Sequence, residues 1–66
     1  GPKDDLKQII GLDPETEERL NALGVFYFRQ IAEWGPGRVR WVDEKLALKG
    51  RIGHERWVEQ ARSFYK

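Results

Sequence analysis

Chemistry has few places to reside in this 66-residue chain. His54 is the single histidine and Ser63 the single serine, nine positions apart. On a helix that separation is about two and a half turns, which sets the two on opposite faces and leaves no base within reach of a nucleophile. There is no cysteine, so thiolate catalysis, disulfides and thiolate metal sites are excluded together. Glu15, Glu17, Glu18, Asp43, Glu44 and Glu59 scatter over polar faces, whereas a metal-dependent nuclease needs carboxylates that converge. They read as capping and solubilising residues. The chain is therefore expected to catalyse nothing and to hold no metal or cofactor.

What the side chains do allow is recognition. The run KGRIGHER carries Lys49, Arg51, His54 and Arg56 around the expected start of the last helix, with Gly53 keeping the backbone open. Cations at a helix N-terminus make this the candidate anion or DNA-phosphate site, beside the plainer reading of a charged turn that is only solvated surface. Trp41 neighbours Arg38 and Lys45, the aromatic-plus-basic composition that anchors protein interfaces. Core burial is the first expectation for Trp41, as for Trp34 and Trp57, because a domain this small needs bulky side chains to close. The interface reading of Arg38, Trp41 and Lys45 stands beside it.

The elements that must position these residues are helical. Leu6, Ile9 and Ile10 sit at i, i+3 and i+4, one face of a short helix from about Asp4 to Ile10, and Gly11 ends it. Leu12 points back to the core. Asp13-Pro14 starts a second helix, Pro14 to Leu23, with Asp13 as N-cap and Gly24 as the stop. Val25 to Phe28 has the aromatic and β-branched content of a strand, but nothing exists for it to pair with. Phe28, Ile31 and Ala32 recur at helical spacing, which gives a third helix from about Tyr27 to Glu33. A fourth starts at Pro36 or Gly37 and carries Val39, Val42 and Leu46 as its core stripe. Gly50 and Gly53 bracket a turn, and a fifth runs from about His54 to Tyr65 with Trp57, Val58, Ala61, Phe64 and Tyr65 on its apolar face. The expected fold is all-α, a compact bundle of about five short helices.

Sixty-six residues make one domain, and chains of this length bury only about 60% of the surface they expose when unfolded. Gly1-Pro2 is either native or, as expected here, the pair left when a protease removes a tag, and the domain is expected over 3–66. No apolar run approaches the roughly twenty residues needed to cross a bilayer, and a cytoplasmic location is expected. The net charge of +1 conceals an asymmetry. Residues 1–37 carry four basic against seven acidic side chains, a net −3, and residues 38–66 carry eight against four, a net +4. A polyanion should meet the C-terminal half.

The stretch IIGLDPETEERLNALGV resembles the helix-hairpin-helix family, whose hairpin reads hydrophobic-Gly-hydrophobic-Gly and holds a nucleic-acid phosphate on backbone amides. Ile10, Gly11 and Leu12 match that pattern, and Asp13 stands where the second glycine belongs. Through VFYFRQIAEW, GPGRVRWVDEKL, KGRI and RWVEQA the resemblance extends to a small bacterial domain described as a flap-endonuclease-like 5′ DNA-binding module. Similar segments are tails on larger proteins, among them the NADH dehydrogenase E subunit and a large-subunit ribosomal protein. The resemblance implies a SAM-domain-like helical fold and a hairpin formed by Gly11, Leu12 and Asp13. Asp13, as N-cap, would accept from the amides a phosphate needs, so a core-forming turn is expected here. The function expected is a non-catalytic module for protein docking or assembly, partnered by another protein or a host complex. The alternative is weak, sequence-nonspecific binding of duplex DNA. Neither reading calls for a membrane or a small-molecule substrate.

Overall fold

The computed structural model describes residues 3–65; Gly1 and Pro2, the expected tag remnant, and Lys66 lie outside the described residues. The chain begins with a single 3-10 turn, Leu6–Gln8, in place of the expected α-helix from Asp4 to Ile10. The i+3 hydrogen bonds of such a turn, Gln8 N–H to Asp5 C=O and Ile9 N–H to Leu6 C=O, stack residues i and i+3. Leu6 and Ile9 are accordingly buried, while Ile10, one position further, is 80% exposed. The turn leaves Asp4 free to serve another element. Its carboxylate accepts from the Phe28 amide at 2.8 Å, at the start of the third expected helix.

Five helices follow: α1 (Pro14–Ala22), α2 (Phe28–Ala32), α3 (Pro36–Leu46), α4 (Arg51–His54) and α5 (Trp57–Phe64). No strand occurs among the described residues, and Val25 and Phe28 pack as core residues. Asp13 caps α1, accepting from the Thr16 amide at 2.8 Å. Gly24 follows α1 with φ +89°. The Gln30 side chain accepts from the Phe26 and Tyr27 amides and donates to the Gly24 carbonyl, which ties the α1–α2 link to α2.

The expected single helix from His54 to Tyr65 is broken in two. Arg56 is left-handed (φ +58°), which ends α4 at His54 and restarts the chain as α5. The Gln60 side chain donates to the carbonyl of Glu55 at 2.9 Å and so satisfies a group the break exposes. The break turns Trp57 fully into the core. Ala47 and Lys49 are left-handed too, and Asp43 grips the amide of left-handed Gly50 with both carboxylate oxygens, at 2.9 and 2.8 Å.

One apolar core holds the elements together. Leu6, Ile9, Leu20, Ile31, Ile52 and Trp57 are at most 1% exposed, and Trp34, Val39 and Val58 pack on the cluster's margin. α2 and α5 pair most extensively, and Phe64 stacks on Phe28 with centroids 4.7 Å apart. Phe64 and Tyr65 remain 43% and 47% exposed, and Tyr65 lies just beyond the end of α5, so the apolar face is narrower than expected.

Candidate functional site: a sealed hairpin and an exposed basic helix face

The hairpin that precedes α1 is held from the far end of the chain. Gln60 of α5 accepts from the Ile10 amide at 2.8 Å and donates to the Ile10 carbonyl at 3.2 Å. Arg51 of α4 donates to the Gly11 carbonyl. Gly11 has φ +97°, and a Cβ there would land on the Glu55 carboxylate. The lack of a side chain therefore does two things at Gly11: it permits the backbone conformation and lets Glu55 approach. Leu12 is buried, as expected.

Asp13 occupies the Thr16 amide, one of those that would otherwise face an anion. Hydrogen bonds from Thr16, the hydroxyl foremost and then the backbone amide, hold its carboxyl below the ordinary aspartate range, and the charge of Arg51 adds to the effect. A phosphate at this helix end would have to displace a carboxylate that already holds the Thr16 amide.

The residues of KGRIGHER do not all face one way. Arg51 is drawn inward: besides Gly11 it pairs with Glu55 at 3.6 Å and lies over the Trp57 ring at 5.8 Å. Glu55 in turn accepts from the Trp57 indole N–H at 3.0 Å. Lys49, His54 and Arg56 are exposed. His54 is the last residue of α4 and not in the first turn of the final helix. Gly53 sits inside α4 with open space where a Cβ would be. It lines a groove of about 480 Å³ with Pro36, Val39 and Arg40. Gln60 and Glu55, which clasp the hairpin, carry no mark in the sequence, since each is an ordinary polar residue on a helical stretch.

Trp41 corrects the expectation of core burial. It is 48% exposed, with the Arg38 guanidinium 5.4 Å from its ring centroid. α3 already supplies Val42 and Leu46 to the core, and Trp41, one residue from Val42, lies off that stripe. Trp57 fills the core, and Trp34 is half-buried at its edge. Lys45, one turn on from Trp41, is exposed. Among the described residues no group of three or more His, Asp or Glu side chains is placed to hold a metal ion, and no helix is long and apolar enough to cross a membrane.

The family described as the RS2/RL21/YNQ2 HHH domain matches residues 6–65, from the buried Leu6 of the first turn to Tyr65, just beyond α5. The chain belongs to this family. Large ribosomal subunit protein bL21 of Jannaschia sp. (strain CCS1) is 48% identical over 64 residues, covering 97% of this chain and 25% of that protein. Small ribosomal subunit protein uS2 of Azorhizobium caulinodans is 44% identical over 64 residues, again 97% of this chain and 19% of the relative. The corresponding uS2 of Methylobacterium sp. (strain 4-46) is 41% identical over the same length, 18% of its own chain. This chain thus spans a quarter or less of these relatives. No solved structure matches it significantly. Membership in the HHH domain family accords with the all-helical architecture and with the glycine hairpin at Gly11, and the relatives are named as ribosomal subunit proteins.

Proposed function

We propose that this chain is a non-catalytic docking module that attaches a larger host protein to a ribosomal particle or helps that host assemble into one. The observation that carries this reading is the module's portability. One 64-residue unit accounts for 97% of this chain, yet for only 25% of a large-subunit protein and 19% of a small-subunit protein. A unit shared by proteins named for different subunits is suited to a task common to both, which is attachment. The hairpin supports the same reading, because Asp13, Arg51 and Gln60 use its polar groups internally. Such a task belongs to the cytoplasm and needs a macromolecular partner with no substrate turnover.

Weak binding of the duplex DNA backbone rests on the charge of the C-terminal half alone, and Arg51 is already committed to Gly11 and Glu55. The two readings separate in a binding experiment with the immobilised chain, offered either ribosomal subunits from an organism carrying one of the relatives or a random-sequence duplex. Docking predicts capture of subunits that survives a rise from 50 to 200 mM salt. Capture of the duplex alone, lost steeply over that interval as phosphate binding requires, would overturn the docking reading.

A further inference from the structure

One face of α3 is used neither by the core nor by the hairpin. With 3.6 residues per turn, Val42 and Leu46 turn inward, and Arg38, Trp41 and Lys45 share the outer side. Trp41 keeps nearly half its surface exposed even with the Arg38 guanidinium over its ring. A chain this short has little apolar bulk to spare, so a Trp withheld from the core marks a contact surface.

The charge around the ring limits what can cover it. Arg38, Arg40 and Lys45 are exposed on α3 against a single outward carboxylate, Glu44, because Asp43 is turned to the Gly50 amide. Arg38 and Lys45 form no ion pair among the described residues. They stand about one turn before and one turn after Trp41, roughly 4.5 and 6 Å along the helix axis. The partner is therefore anionic on both sides of a flat apolar centre.

We infer that this face binds an unpaired RNA nucleotide, its base stacked on the Trp41 indole and its flanking phosphates on Arg38 and Lys45. The inference rests on the ribosomal docking reading and gives that docking its partner chemistry. A duplex keeps its bases stacked on one another and offers the ring nothing, whereas a single strand offers both a π-face and phosphates. An acidic peptide satisfies the two cations but leaves the indole plane unused.

The test is fluorescence anisotropy of a short labelled oligouridylate titrated with the 66-residue chain, beside a labelled RNA duplex and a labelled oligoglutamate. The parent is expected to prefer the single strand, with a slope of log affinity against log salt of about −1.4 for two phosphates. Trp41→Leu should weaken binding at least about fivefold, the low end of a base–aromatic stack. Trp41→Phe should keep most of it, and Arg38→Glu with Lys45→Glu should abolish it. Melting temperatures should stay at the parent value, because all three residues are exposed. Parent affinity in Trp41→Leu, no binding of oligouridylate, or tighter binding of the duplex or oligoglutamate would each overturn the inference. Sedimentation with ribosomal subunits separates it from the docking reading. If the parent and Trp41→Leu sediment equally, docking stands and the RNA face falls. If neither sediments, docking falls, and the oligouridylate titration decides the face independently.

Discussion

Gly11→Ala places a methyl group on the Glu55 carboxylate in a backbone that has φ +97°. Two costs follow. An L-residue in the left-handed region is strained by about 1–2 kcal/mol. Moving Glu55 then takes the acceptor from the indole N–H of Trp57, a residue that is 0% exposed, and disturbs the 3.6 Å pair with Arg51. A buried donor without its partner costs about 1–3 kcal/mol, so the total is about 2–5 kcal/mol. Gly24→Ala is the control, since its φ is +89° but nothing lies within 4 Å of the new Cβ. It meets the first cost only, about 1–2 kcal/mol. At about 4–8 °C per kcal/mol for a domain of this size, Gly11→Ala should melt at least about 4 °C below Gly24→Ala in circular dichroism scans. Glu55→Ala, which empties the space, should shrink the penalty of Gly11→Ala in a double-mutant cycle. Coincident melts for the two glycine variants, with no coupling to Glu55, would refute the seating of the hairpin against Glu55.

Two further outcomes follow from the caps and the helix break. The folded-state pKa of Asp13 is depressed, so its contribution to stability is present above the unfolded-state pKa and lost as pH falls through the folded value. The melting gap between the parent and Asp13→Ala should therefore be widest near neutral pH and close in the acid range below an ordinary aspartate pKa; a gap that is constant with pH would contradict the cap. Arg56→Gly should raise stability by about 1 kcal/mol, because Arg56 is exposed and left-handed and glycine relieves the strain. A melt below the parent would argue against the break between α4 and α5.

The parts of the fold that were legible in the sequence are those set by local chemistry. Asp13-Pro14 signals a cap and a helix start whatever surrounds it, and Gly11 and Gly24 supply the positive φ that their turns require. The break at Arg56 was not legible. Trp57, Val58 and Ala61 all lie beyond it, so their helical spacing carries no information about residues 54–56, and a left-handed arginine has no compositional mark. The direction of Ile10 depended on 3-10 rather than α winding, a difference of one hydrogen-bond partner that the spacing of three apolar residues does not resolve. Arg51 read as a free cation because its carbonyl partner, Gly11, lies forty residues away in the chain. Trp41 lay one residue from the core stripe, where periodicity points outward and the demand for core volume points inward. Periodicity prevailed because Trp57 and Phe28 already fill the centre.

Attachment to a ribosomal particle can be read from the saturation stoichiometry of the labelled chain sedimenting with purified ribosomal subunits. Docking requires binding that saturates at a fixed small number of copies per particle and is displaced by the intact bL21 relative from Jannaschia, which is 48% identical to this chain over 64 residues. A chain that stays at the top of the gradient, or that binds without saturation and is released in proportion to salt, would contradict it.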